Sequence, residues 1–192
     1  MYRRKILTMT ILVALLMFPL LHVTAQEQSA ASAYSSQFSL RANLLRWATL
    51  TPDLGVEYRF SPKWAAVLNG SWTSWSWDDK QRRYALWEIA PEVRCYIYNK
   101  VYIGAQFKAG SFNYKLSDTG RQGDLTGVGI TLGYETPIGK RLSLDFNAAL
   151  GCLHADYEKY IVENGNRIRT SDNTKNWWGL TSLGITLKYT LN

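Results

Sequence analysis

Residues 54–60 set the pattern for the chain. Leu54, Val56, Tyr58 and Phe60 fall on one face of an extended segment, and Gly55, Glu57 and Arg59 on the other. The same alternation recurs to the C-terminus and predicts strands over 38–47, 53–61, 64–76, 85–98, 101–113, 125–136, 141–157 and 177–191. On one side lie Ala66, Leu68, Trp72, Ile89, Val93, Ile103, Phe107, Val128, Ile130, Leu144 and Phe146. Between them stand Asn69, Ser71, Glu88, Glu92, Arg94, Gln106, Lys108, Gly129, Thr131 and Asp145. Pro91 breaks the pattern. It has no N–H for a ladder, so a bulge or a locally missing bond is expected there. Several glycines fall on the polar side, where a narrow barrel must make room for larger groups.

The connections add a second regularity. Residues 61–63, 98–100 and 137–140 read as tight turns, whereas 77–84, 114–124 and 158–176 read as longer polar links, the last holding the turn signal Asn164-Gly165. The length of the first hairpin, around 49–52, is ambiguous. Short and long connections that alternate suit a barrel with one end in the periplasm and the other outside. A sandwich in water has no reason to sort its loops by end. The predicted fold is all-β: an eight-stranded antiparallel transmembrane barrel, up-and-down and OmpA/OmpX-like, over residues 38–192.

The N-terminus reads as an export signal. Arg3, Arg4 and Lys5 precede an apolar run over 6–21, and Val23-Thr24-Ala25 fits a small-residue cleavage site. Residues 1–25 are therefore assigned to a signal peptide and the Ser- and Ala-rich 26–37 to a flexible periplasmic lead. Removing the three basic residues lowers the formal charge from +7 to +4, too little to argue for nucleic acid. After residue 25 no apolar run approaches the ~20 residues of a membrane helix. Mean hydropathy is negative, which a barrel permits because half of each strand avoids lipid. Eight Trp, twelve Tyr and fourteen Gly support strands.

Candidate chemistry is sparse. Glu57, Arg59, Glu88, Glu92, Arg94, Lys108, Glu135, Asp145 and Lys188 face inward on the predicted strands. Eight strands leave an interior just wide enough for side chains, so these charges read as a plug of ion pairs and not as a wide pore. Glu88 and Glu92 resemble a catalytic pair, but Arg94 and Arg59 offer them a simpler neutralising role. His154, the lone His after the signal, would need an acid and a nucleophile such as Glu158 and Ser143 to act as a hydrolase, and no motif supports them. One His and two separated Cys, Cys95 and Cys152, make no metal site, and the strand positions put these thiols beyond disulfide reach. No cofactor and no enzymatic activity are expected. Trp47, Trp64, Trp72, Trp75, Trp87, Tyr98, Trp177, Trp178 and Tyr189 gather near strand ends, as interfacial girdles do; Trp75 reads equally as a loop-packing residue.

The last strand fits the signal read by the barrel assembly machinery, with Ser182, Gly184, Leu187 and Tyr189 in its polar, glycine and two hydrophobic places, although the chain ends Thr190-Leu191-Asn192 without a terminal aromatic. At a finer level, Asn43-Leu44-Leu45-Arg46-Trp47-Ala48-Thr49, then Thr51-Pro52-Asp53-Leu54-Gly55-Val56-Glu57, Ser61-Pro62-Lys63-Trp64 and Pro91-Glu92-Val93-Arg94 resemble a Bacteroidetes outer-membrane β-barrel family, the domain of unknown function family 3575. That resemblance implies no activity. The presence of some members beside fimbria-like genes implies a role in surface assembly. The expected location is the cell outer membrane with a periplasmic N-terminus. Expected partners are outer-membrane lipid and lipopolysaccharide, the assembly machinery, and a surface protein or glycan. The competing readings are a lipocalin-like periplasmic carrier and a lipid-modifying outer-membrane enzyme.

Overall fold

The computed structural model describes residues 36–77, 82–98, 100–163 and 166–191. The segment expected to be a signal peptide and nearly all of the expected lead lie outside the described residues, as do Asn164 and Gly165. The chain runs β1 (Gln37–Asn43), α1 (Leu44–Ala48), β2 (Asp53–Arg59), β3 (Trp64–Trp77), β4 (Arg82–Tyr96), β5 (Val101–Lys115), β6 (Thr119–Pro137), β7 (Leu142–Glu163) and β8 (Asn166–Thr190). Each strand pairs antiparallel with its sequence neighbour, and β8 closes on β1 from Ser39↔Thr190 to Asn43↔Thr186. The eight strands form a closed up-and-down barrel, as the alternation predicts.

Alternation decides the two faces. Trp72, Leu54 and Ile130 are 67%, 60% and 60% exposed on the outside, whereas Glu57, Arg94 and Asp145 are 1%, 1% and 0% exposed within. This inverts the usual arrangement in water, where apolar groups fill the interior.

Three sequence expectations change. The first strand ends at Asn43, not at residue 47, because the adjacent Leu44 and Leu45 break the period of two and Asn43 caps a short helix, its Oδ1 accepting from the Arg46 N–H at 3.4 Å. The chain leaves α1 through Leu50, whose φ of 57° is left-handed. Its carbonyl there accepts from Thr73 Oγ1 and Trp75 Nε1 at 2.9 and 2.8 Å.

The links expected over 114–124 and 158–176 are mostly strand. β5 runs to Lys115 and β6 starts at Thr119; β7 runs to Glu163 and pairs with Asn166 at the start of β8. Polar side chains on both faces hide the alternation there, while the backbone ladder continues. The asymmetry is therefore one of strand length. β1 and β2 have 7 residues each, β7 has 22 and β8 has 25. Strands β5 to β8 rise as a wall at the end away from Gln37 of β1 and Thr190 of β8, the open end; the opposite end carries the tight turns around 60–63, 97–100 and 138–141.

Pro91 interrupts its ladder without a bulge. β4 pairs with β5 at Ile89↔Ala109 and again at Glu92↔Gln106 in the same register. The bulges lie elsewhere, between Ala149/Leu150 and between Lys159/Tyr160 of the β7–β8 pair, leaving Thr181 and Thr170 as the extra residues of β8.

Candidate functional site

The barrel interior holds two stacked polar layers. In the layer nearer the turns, Arg41 of β1 bonds Glu57 of β2 and reaches Asp145 of β7 at 2.5 Å. Arg94 of β4 meets Asp145 at 2.8 Å and Glu92 at 2.9 Å. Lys188 of β8 bridges Glu57 and Glu135 at 2.9 and 2.6 Å. Two tyrosines complete the layer. Tyr96 donates to Glu57 and Glu135 at 3.2 and 3.0 Å, and Tyr102 donates to Asp145 at 2.7 Å. Tyr102 fits because Gly133 lies beneath it: a Cβ there would stand 2.1 Å from the ring.

The second layer is the floor of the open end. Arg46 swings in from α1, bonding Ser71 and Glu88 at 2.6 and 2.7 Å and Asp53 at 3.3 Å. Lys108 stands 3.6 Å from Glu88 and donates to the Thr181 carbonyl at 2.9 Å. The bulge at Thr181 turns that carbonyl toward the ammonium. The two layers oppose six carboxylates (Asp53, Glu57, Glu88, Glu92, Glu135, Asp145) to five ion-paired cations (Arg41, Arg46, Arg94, Lys108, Lys188), and Arg59 at the turn end brings the cations to six. The space between the layers is a cavity of about 20 Å³, room for about one water. The lumen is filled.

Several sequence expectations resolve differently here. Glu88 is neutralised by Arg46 and Lys108 and not by Arg59 or Arg94. Arg59 sits at the turn end, its guanidinium 3.9 Å over the Tyr96 ring and donating to the Pro62 carbonyl at 2.7 Å. Three charged members of the layers were absent from the expected set. Arg41 alternates with Leu40 and Ala42 and was legible on that ground. Asp53 opens β2 on the same face as Glu57. Arg46 was not legible, because strand alternation points it outward and the helical turn of α1 brings it in. Of the assembly-signal residues, Gly184 packs inward against the Asn147 amide, Ser182 borders the small cavity, and Leu187 and Tyr189 face out.

The wall has two unlike faces. Its outer face carries Asp124, Asp156, Glu158 and Asp172, with His154 and Arg169 among them. His154 lies 2.6 Å from Asn176 and 3.4 Å from Asp156. Ser143 is at the far end of the same strand, so it does not join His154 and Glu158 in one unit. Hydrogen bonding to Asn176, with Asp156 beside it, raises the His154 pKa above the ordinary 6.5. The inner face carries Phe112, Tyr114, Leu125, Leu153, Tyr157 and Trp177. Trp177 and Trp75 thus face the lumen side and leave the expected girdles, because β8 and β3 continue as strand past the barrel proper. Cys95 and Cys152 are free and half-buried. Among the described residues no group of three or more His, Cys, Asp and Glu is placed to hold a metal ion.

The chain is similar to the translocator domain of the autotransporter NalP from Neisseria meningitidis, with a TM-score of 0.38 and 13% identity over 88% of this chain and 66% of that one. The chain thus spans just under two-thirds of that domain. Comparison with curated proteins finds no match. Residues 11–191 match the model of the family described as "Protein of unknown function (DUF3575)", and the chain belongs to that family.

Proposed function

We propose that this protein is a sealed outer-membrane β-barrel that anchors the β5–β8 wall at the cell surface and presents it for interaction, with its N-terminus in the periplasm. The observation that carries this reading is the inversion of the barrel, apolar outside and ion-paired inside. Only a hydrocarbon surround makes that arrangement favourable. The outward aromatics support it. Trp64 and Trp72 bracket the belt on β3, and Tyr189 and Trp178 bracket it on β8. At about 3.3 Å per residue and a tilt near 40°, these pairs stand roughly 20 and 28 Å apart along the barrel axis, around the ~25 Å apolar band of such barrels.

The filled lumen supports an anchoring role over a pore. Lipid and lipopolysaccharide are the surroundings of the belt, and Ser182, Gly184, Leu187 and Tyr189 serve recognition by the barrel assembly machinery. The resemblance to fimbria-associated relatives favours a surface-assembly partner.

Membrane fractionation tests the reading. The protein should stay with the outer membrane through high-salt washing, run with heat-modifiable mobility on gels, and give no steady conductance in planar bilayers. Recovery in the periplasmic supernatant after the salt wash would reject it.

A further inference from the structure

Above the floor formed by Arg46, Glu88 and Lys108, the lumen side of the wall changes character. Leu125, Leu153, Tyr157 and Trp177 line an open cleft of about 370 Å³, together with Arg121 and Lys175. Its aromatic flank is ordered: Phe112 stacks on Tyr114 at 5.8 Å between centroids and meets Tyr157 at 6.4 Å. Trp177 is 51% exposed although it faces inward. An apolar surface of this kind, left open on the wet side of a barrel, marks a binding place.

Charge identifies the occupant. Along β5 to β8 the cleft face carries Arg121, Lys159 and Lys175, while alternation sends the neighbouring Asp124, Asp156, Glu158 and Asp172 to the other face. Arg121 donates to the Tyr114 hydroxyl at 2.7 Å and lies 5.7 Å over its ring. Among the described residues none of these three cations is in an ion pair. The one acid on this face among the described residues of the wall, Glu163, stands at the tip of β7, beyond Lys159. Among the described residues the lumen-side positions of the facing strands add none: β3 contributes Thr73, Trp75 and Trp77, and β4 contributes Arg82, Tyr84 and Leu86 above Glu88, which Arg46 and Lys108 already neutralise. Leu125, Leu153 and Ala155 give the cleft an aliphatic base. Asn173, opposite Tyr157 on β8, has its amide turned onto Ser171 at 2.9 Å. That lining suits a hydrocarbon body better than the hydroxyls of a sugar.

The wall also has a low side. β1 pairs with β8 only as far as Asn43↔Thr186, so β8 has no β1 partner from Ile185 back to Asn166. Here α1 and its exit present Leu44, Trp47 and Leu50 as exposed apolar groups. An apolar tail therefore has an approach at membrane level.

We propose that this cleft binds a fatty-acid-like anionic amphiphile, its carboxylate held by Arg121, Lys159 and Lys175 and its chain laid on Leu125, Leu153 and Trp177. The proposal rests on the surface-barrel reading and names the ligand class of its wall.

The test uses the full barrel in zwitterionic phosphatidylcholine nanodiscs, followed by amide and indole NMR during titration with decanoate. Saturable shifts are expected at Phe112, Tyr157 and the Trp177 indole, with only non-saturating drift at Trp72 and Trp178 on the outer surface. Decanol should bind at least tenfold more weakly. Arg121→Gln combined with Lys175→Gln, both at solvent-facing positions, should weaken decanoate at least tenfold while keeping the dispersed spectrum of the folded barrel. That dispersion reports the membrane fold independently, so a folded barrel without saturable shifts overturns the cleft proposal alone. Equal binding of decanol, an unchanged double variant, or the same shifts produced by anionic phosphatidylglycerol in the disc or by an acidic oligosaccharide in place of decanoate would also overturn it.

Discussion

Arg41 on β1 and Asp145 on β7 lie 2.5 Å apart although β8 runs between their strands. The pair straddles the seam at which the last strand meets the first. Arg94, from the opposite wall, reaches the same carboxylate at 2.8 Å, and the Tyr102 hydroxyl donates to it at 2.7 Å. One buried carboxylate thus joins four strands. Removing it leaves two guanidinium groups short of a partner in a dry interior. Loss of one partner from a buried pair costs about 3–5 kcal/mol. Asp145→Asn is expected to lose that much in urea unfolding from lipid vesicles, against no more than about 0.5 kcal/mol for Asp172→Asn on the exposed wall. Equal effects would mean that the interior network contributes no more than surface charge.

Tyr102 and Gly133 give a steric counterpart. The ring occupies the space over the glycine, and a Cβ at that position would stand 2.1 Å from ring carbon. Neither residue can move easily, since the hydroxyl is tied to Asp145 and the ring packs beside Tyr96 at 5.3 Å. Gly133→Ala should destabilise the barrel by about 1–3 kcal/mol, as overpacking does. Combining it with Tyr102→Ala should recover part of the loss in a double-mutant cycle. Strict additivity would show that the two positions do not share the space.

These relationships differ in how far the sequence disclosed them. The faces of β2 to β8 were legible because one face meets apolar surroundings, so Leu54, Val56 and Tyr58 alternate strictly with Gly55, Glu57 and Arg59. Arg41 obeys the same rule. Arg46 does not, because its place depends on a helix only five residues long, and so short a helix has no periodicity to read. The wall was hidden for the opposite reason. From Tyr157 to Asn176 water lies on both sides of the strands, so no hydrophobic period survives. The pairing of charges across the lumen depends on register and on the tilt of eight strands, and a pattern along one strand does not contain it.

Pro91 predicts a local gain. It keeps its partner Leu68 on β3, but the ladder to β5 is missing between Ile89↔Ala109 and Glu92↔Gln106. The register is the same on both sides, so the strands are already in place to pair. Pro91→Val supplies an N–H and a β-branched side chain on the outward face. It should stabilise the barrel by about 0.5–1.5 kcal/mol, the net value of one hydrogen bond. Slowed amide exchange at residue 91 and its β5 neighbours is the direct readout. Unchanged exchange would locate the cause of the interruption in strand twist and not in the missing donor.

His154 predicts a pH response on the wall. It lies beyond the Trp178 belt, exposed, with Asn176 accepting at 2.6 Å and Asp156 at 3.4 Å. Both partners favour the imidazolium, and the hydrogen bond to Asn176 is the larger cause of the raised pKa. A group whose pKa is raised by folding stabilises the folded form fully below its unfolded value near 6.5 and loses that contribution as pH rises through the folded value. The β7–β8 hairpin should therefore hold together slightly better in mild acid than at pH 8. An NMR titration of the His154 ring carbons should give a midpoint above 6.5. Asn176→Ala should return the midpoint most of the way to the ordinary value, and Asp156→Asn by a smaller step. A midpoint at or below 6.5 in the unmodified barrel would mean that the imidazole does not hold these partners in solution, and the pH response of the hairpin would then vanish with it.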